Sequence, residues 1–371
     1  MRALRSLILA GVAAATLAVG AGSALADPAS PPPVTSIVAT GSDTTQFLGD
    51  KFSTDYNATT PTNPFYSWDA VNPTTGATGD TISSKNDANC SMARPNGSGA
   101  GIVQLQKKVK TTNGTDYCVD LARTSRNIKS TDGTGIASVI FAKDLITYAI
   151  YNGGNGVTNL TDTDLTAIYD CNASLISSAY SGPVTWKEVG GTSTDAISPV
   201  LPQSSSGTRA QWLTDIGVTT PGSCVVNGTY NGNLIEENEG TNAVYTTSNP
   251  LYKDVLAPFS AGSFVCQVYT LACPKAVGSM VLENIDSKAP LTTTNTINTA
   301  AFPAVYIRGL FLVTLNAGTA AAPKVPTTPI DLTKFLGQGN NTGWICGTTA
   351  AADIKKFGFA TAANCGALTG Q

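Results

Sequence analysis

Apolar residues fall in short runs separated by polar, turn-forming stretches, and the runs are of two kinds. Thr35–Thr40, Phe141–Tyr151, Met280–Ile285 and Ala304–Leu315 are near-continuous and read as strands buried on both faces. Phe65–Trp68, Tyr117–Ala122, Val184–Trp186 and Val200–Leu201 read as shorter strands. The other runs have helical spacing. They are Gln46–Phe52, Gly99–Val109, Asn159–Tyr169 with Thr161 as its cap, Arg209–Ile216, the stretch from Pro258 to Tyr269, Thr333–Leu336 and Ala350–Phe357. Residues 56–90 are polar and turn-rich around Phe65–Trp68. Strand–loop–helix alternation predicts α/β layers, with ligand sites at the carboxyl ends of strands. A chain of 371 residues exceeds one ordinary core and predicts two lobes.

Three helix starts are built alike: Gly41-Ser42-Asp43-Thr44-Thr45, Asn96-Gly97-Ser98-Gly99-Ala100-Gly101 and Ser204-Ser205-Ser206-Gly207-Thr208-Arg209. A helix start leaves backbone N–H groups unpaired and carries the positive end of the dipole, so with nearby hydroxyls it suits an oxyanion. Beyond residue 26 the arginines are Arg94, Arg123, Arg126, Arg209 and Arg308, and most of them adjoin these segments or the stretch Asp120–Arg126. Arginine suits bidentate oxyanion contact; the alternative is surface ion pairing beside ordinary turns.

Residues 1–26 read as a secretory signal: Arg2 and Arg5, an apolar run from Leu7 to Val19, and a small-x-small site at Ala24-Leu25-Ala26. The first cysteine is Cys90, so a lipoprotein is not expected, and no later stretch is apolar enough to span a membrane. The expected product is secreted, extracellular or periplasmic, and monomeric. The formal net charge is −3, and cleavage would remove only basic side chains, so nucleic acid is excluded as a partner. Eight cysteines in an exported chain predict disulfides; pairing neighbours gives Cys90–Cys118, Cys171–Cys224, Cys266–Cys273 and Cys346–Cys365, although spacing alone leaves other connectivities open. A continuous helix between Cys266 and Cys273 would separate their faces awkwardly. The chain contains no histidine, which removes histidine-based nucleophile systems and His-ligated metals. No metal or cofactor is expected.

In order along the chain, Gly-Ser-Asp-Thr-Thr-Gln, Arg94–Ile102, Val119–Arg126, Phe141–Asp144, Ser206-Gly207-Thr208 and Ile354–Phe359 resemble the signatures of PstS-like phosphate-binding proteins, the solute receptors of phosphate ABC transporters. The match is closest to a secreted actinobacterial-type subgroup. The resemblance implies the type 2 periplasmic-binding architecture, with lobe 1 at 27–143 and 258–371 and lobe 2 at 144–257. An anion would sit in the cleft, and an ABC permease would be the partner. The hydroxyl-rich segments, the arginines beside them and the resemblance together give an expected ligand set of Asp43, Thr44, Thr45, Ser98, Ser125, Arg126, Ser206, Gly207, Thr208 and Arg209.

This chain departs from the family at two places. Pro202 stands where the family has an arginine before Ser-Gly-Thr, and Arg126 stands where it has an aspartate that accepts the proton of hydrogen phosphate. Asp43 could supply that acceptor or could only cap a helix. Without an acceptor, a fully deprotonated anion such as sulfate becomes the expected ligand. The first reading is therefore a binding protein rather than an enzyme. The second is a secreted protein that keeps the fold without a transport role. The third is a carboxylate-dependent hydrolase built on Glu236, Glu237 and Glu239, a segment that reads first as a solvated acidic loop.

Overall fold

The computed structural model describes residues 27–371; the expected signal segment, 1–26, lies outside the described residues. The strands that form the main sheet are β1 (Ile37–Gly41), β2 (Phe65–Ser67), β3 (Leu121–Thr124), β4 (Ile136–Tyr151), β5 (Ser198–Leu201), β6 (Val226–Asn227), β7 (Val255–Ser260), β8 (Met280–Leu282), β9 (Ile307–Leu315), β10 (Ala360–Thr361) and β11 (Leu368–Gly370). Around them lie α1 (Gln46–Asn57), α2 (Ser98–Gln106), α3 (Asp162–Asp170), α4 (Gly207–Asp215), α5 (Ala261–Val265), α6 (Leu332–Leu336) and α7 (Thr348–Lys356). Helices follow β1, β2, β4, β5, β7 and β9, as the apolar pattern predicts, while β3–β4, β6–β7, β8–β9 and β10–β11 follow one another without an intervening α-helix.

One sheet carries eleven strands in the order β2-β1-β3-β9-β4-β7-β5-β6, with β8, β10 and β11 also pairing with β4. The pairs β1–β2, β1–β3, β7–β5 and β5–β6 are parallel, and β4 runs antiparallel to β9 and β7. Strand β4 holds the molecule together. Its sixteen residues are rich in β-branched side chains, which favour extended backbone. Residues 136–145 pair with β9, and residues 146–150 pair with β7.

The core divides around this strand. One cluster joins Ile37, Leu48, Phe52, Phe65 and Phe335 to Ile354 and Phe357. Phe335 stacks on Phe65 at 4.4 Å there. Another joins Leu165, Ile168, Tyr169, Trp186 and Trp212 to Ile285, Phe302 and Tyr306. The fold is thus a two-lobed α/β architecture of the type 2 periplasmic-binding kind.

Several elements depart from the expected boundaries. Val184–Trp186 is not a strand. Trp186–Val189 is a 3-10 turn entered through a capping box between Thr185 and Glu188. That Thr-x-x-Glu signal satisfies the helix start locally and outweighs the apolar character of Val184 and Trp186. The strand expected at Tyr117–Ala122 lies at Leu121–Thr124, which makes Arg123 a strand residue and accounts for its burial. Asn159 and Leu160 pair with Asn284 and Ile285 before α3 begins, with Thr161 capping. Ala304–Tyr306 is a 3-10 turn ahead of β9.

Four disulfides join sequence neighbours: Cys90–Cys118, Cys171–Cys224, Cys266–Cys273 and Cys346–Cys365. The third is reached because α5 widens into a π-helical turn over Cys266–Thr270. Leu271 then takes the left-handed conformation, with φ of 52°, and turns the chain back.

Candidate functional site

The loops at the carboxyl ends of β1, β3 and β5 meet at one place. Each strand ends at a backbone that must turn sharply into polar sequence, and parallel neighbours bring those turns together. Gly207, the first residue of α4, touches both Ser98 and Ser125: a Cβ there would lie 2.2 Å from the Ser98 hydroxyl and 2.3 Å from that of Ser125. Only glycine lets α4 approach so closely. The Ser125 N–H donates to the Ser98 hydroxyl at 3.1 Å. Ser206 caps α4 by accepting from the Arg209 N–H at 2.9 Å. Thr44 and Thr208 are both buried, with their hydroxyls 3.3 Å apart.

These donors converge on a carboxylate. Glu237 Oε2 accepts from the Thr208 hydroxyl at 2.5 Å, the Thr208 N–H at 3.2 Å and the Thr44 hydroxyl at 3.0 Å. Glu237 is 2% exposed, and its other oxygen, Oε1, is buried without a partner among the described residues. The solvated acidic loop expected at 235–240 is therefore wrong for Glu237. Ile235, in the core beneath it, pulls the segment down.

Its neighbours hold it in place. Asn238 donates to the Thr44 hydroxyl at 3.1 Å and accepts from the Ser260 N–H at 2.8 Å. Glu236 accepts from Asn96 at 2.9 and 3.0 Å and from Gln203 at 3.1 Å, and Gln203 also donates to Asn96 at 2.8 Å. The Gly99 N–H donates to the Ser205 carbonyl at 3.0 Å. The second and third hydroxyl-rich segments are thus in direct contact.

The cation at this site is Arg308, on β9. It donates to the Thr208 hydroxyl at 3.0 Å and to Asp144 at 2.8 and 3.0 Å. Arg308 and Asp144 are register partners on β9 and β4, and both are buried. Asp144 also accepts from the Gly262 N–H at 3.0 Å, so the guanidinium is held from behind and aimed at Thr208.

The other arginines are engaged elsewhere. Arg94 pairs with Asp27 and Asp80. Arg123 donates to the Ser67 hydroxyl and the Trp68 carbonyl at 2.7 Å each. Arg126 forms a two-point pair with Asp132 at 2.7 Å. Arg209 turns to the Pro202 carbonyl at 3.0 Å and to Asn227. The side chains of Arg126 and Arg209 are therefore not brought to the donor cluster. Each has a nearer acceptor, and a guanidinium takes the acceptor that its local backbone presents. Thr45 is buried, and its hydroxyl has no partner among the described residues.

Asp43 lies in a 3-10 turn at Asp43–Thr45 and makes no side-chain cap. It accepts from the Gln46 amide at 2.7 Å. It lines a cavity of about 280 Å³ with Thr44, Glu236, Glu237, Glu239 and the apolar faces of Phe47 and Phe359. Burial, and then the negative charges of Glu237, Glu236 and Glu239, push its carboxyl well above the usual range. Burial also pushes Glu236 up to about 7, with Glu237 and Glu239 adding to the effect against the Asn96 hydrogen bond. Among the described residues, no group of three or more Cys, Asp or Glu side chains is arranged to hold a metal ion, and no helix is long and apolar enough to cross a membrane.

Sequence reasoning missed the roles of Arg308, Asp144 and Asn238 and misassigned Glu237. One signal was present: Arg308 stands inside an apolar strand, where a buried charge requires a partner.

A fold with two α/β lobes around a long shared strand, and a donor cluster where its turns meet, is that of a periplasmic-binding-type receptor. Residues 28–306 match the family model of the PBP superfamily domain, and the chain belongs to that family. No curated protein matches it in sequence. Among solved structures it is similar to an ABC-type phosphate transport receptor from Vibrio cholerae, with 17% identity, TM-score 0.52, and coverage of 88% of this chain and 100% of that one. It is also similar to a putative phosphate ABC transporter substrate-binding protein with bound phosphate from Clostridium perfringens, with 14% identity, TM-score 0.51, and coverage of 88% and 99%.

Proposed function

We propose that this chain is an exported solute-binding protein for a small tetrahedral oxyanion, phosphate first, bound without turnover. The observation that carries the reading is the convergence of the Thr44 hydroxyl and the Thr208 hydroxyl and N–H on one point, where a carboxylate oxygen already accepts three hydrogen bonds, with the Arg308 guanidinium directly behind it on the Thr208 hydroxyl. Neutral donors at a helix start plus one arginine suit an oxyanion. Ser98, Ser125, Ser206 and Gly207, which pack together at the start of α4, complete the proposed ligand set. Arg126 and Arg209 act only through their backbone or by bracing α4.

We divide the lobes at 143/144 and carry the second lobe beyond the expected bound of 257, because Ile285, Phe302 and Tyr306 pack in the core formed by 145–256. Delivery to an ABC permease is the corresponding role. A secreted protein without a permease would use the same site.

Asp43 beside the site favours phosphate over sulfate. Once ionised, its carboxylate accepts the proton of hydrogen phosphate and repels an anion that has none; burial and the neighbouring glutamates keep it protonated to higher pH than an ordinary carboxyl, so the preference for phosphate should strengthen as pH rises. The test is calorimetric titration of the dialysed protein with phosphate and with sulfate, repeated on Asp43→Asn. Phosphate should bind in clear preference to sulfate, and the substitution should narrow the gap. Equal affinity for the two anions in the parent removes Asp43 from the selectivity, and no heat with either anion removes the reading.

A further inference from the structure

We infer that Glu237 is an internal ligand: its carboxylate occupies the oxyanion nest, and an incoming anion must displace it. The inference rests on the oxyanion reading above and adds a resident competitor to it. A solvated carboxylate would spread its acceptor sites over water. Glu237 instead is 2% exposed and directs one oxygen at three donors drawn from two helix starts far apart in sequence, Thr44 ahead of α1 and Thr208 in the first turn of α4. The N–H of Thr208 is among the first of α4, which no carbonyl within the helix can satisfy. Glu237 supplies that acceptor as a bound anion would.

The strap around it acts the same way. Asn238 holds Thr44, and Glu236 reaches Asn96 and Gln203, so residues 236–238 tie the first, second and third hydroxyl-rich segments together. The unpartnered Oε1 leaves Glu237 held at one oxygen only. A second buried anion within hydrogen-bond reach of the same donors is excluded by repulsion and by the lack of donors. Anion binding therefore requires Glu237 to leave the nest, and the observed affinity is the difference between the two occupants.

The test uses Glu237→Gln, which keeps the shape and removes the charge, and Glu237→Asp, which keeps the charge but is one methylene too short to reach. Inorganic phosphate affinity is read by calorimetry. Hydrogen exchange of the Thr208 amide is read in anion-free buffer. Both variants should bind phosphate more tightly than the parent, by about tenfold or more, as expected for removing a charged hydrogen-bonding competitor. In both, the Thr208 amide should exchange faster without phosphate and regain protection with it. Tighter binding in Glu237→Gln alone would mean that Glu237 acts only through its charge, and would overturn the internal-ligand role. Phosphate affinity unchanged or lowered in both variants overturns it too, as does a Thr208 amide whose exchange the substitutions leave unmoved. If no protein binds phosphate while the amide still loses protection in both variants, the nest is occupied as inferred and the phosphate reading is what fails.

Discussion

Arg308 and Asp144 are buried from water on adjacent strands, and among the described residues each is the other's only charge partner within hydrogen-bond distance. Removing one side of such a pair strands the other charge, which costs about 3–5 kcal/mol. Asp144→Asn should therefore lower the urea midpoint substantially. It should also weaken anion binding, because nothing then aims the guanidinium at Thr208. A variant with parental stability would show that Arg308 finds another acceptor. The site was legible only in part at this scale, and the reason is range. Ser206 caps its own helix, and Thr44 and Thr208 sit in helix starts, so their chemistry shows within a few residues. Arg308 meets Asp144 across 164 residues, and Glu237 meets Thr44 across 193. Nothing local signals either contact. Arginines placed beside the hydroxyl-rich segments looked like ligands. Arg94 and Arg126 instead found aspartates 14 and 6 residues away, a choice set by loop geometry that no motif records.

Helix α4 is the element on which the site turns, because its first residue has no room for a side chain. Alanine at 207 would place a methyl carbon within 2.3 Å of the Ser98 and Ser125 hydroxyls. Either α4 retreats or the two serines rotate away. Overpacking of this kind costs about 1–3 kcal/mol. Gly207→Ala should thus lower thermal stability modestly and abolish phosphate binding in calorimetry. Retained binding would show that α4 can shift without opening the nest. Gly97→Ala is a useful companion, since its Cβ would meet the Ser205 carbonyl at 2.5 Å and its φ is +98°. It strains the contact between the second and third segments without touching Thr208. Elements were read well where an apolar run was long, as in β4 and β9. They were misread where cap chemistry competed with propensity, as at Thr185–Glu188. The one sheet linking both lobes was not legible, because the sequence pattern shows strands but not their partners.

Across the whole molecule, buried carboxyls outnumber the cations placed to neutralise them, and this sets how stability responds to pH. Burial pushes Glu236, Asp215 and Glu283 up to about 7 and Asp69 and Asp353 up to about 6. In the unfolded chain these groups lose their protons near their ordinary values of 3.8 and 4.5. Between those values and about 7 the folded protein holds more protons than the unfolded one, so stability falls as pH rises through that window. The opposite sign belongs to Asp80, held low by its hydrogen bonds to Arg94, and to Asp132, held low by Arg126 against the effect of burial. Their contribution is present above the ordinary carboxyl range and is lost only as pH falls below it. The melting temperature should therefore peak near the ordinary carboxyl values, about pH 4, and decline as pH rises to about 7. The net charge of −3 hints at an acidic protein but not at where the acids lie, and it is their burial that gives the slope its sign. Glu236 separates this account from general charge repulsion, because it is tied to Asn96 and Gln203 at the centre of the molecule. Glu236→Gln changes the net charge by one but removes a group that titrates inside the window. If burial sets the slope, the variant's melting temperature should vary less between pH 5 and pH 8 than the parent's, while an exposed Asp170→Asn control of equal charge change leaves that variation nearly unchanged. A parent melting temperature that rises steadily from pH 5 to pH 8 would contradict the assignment.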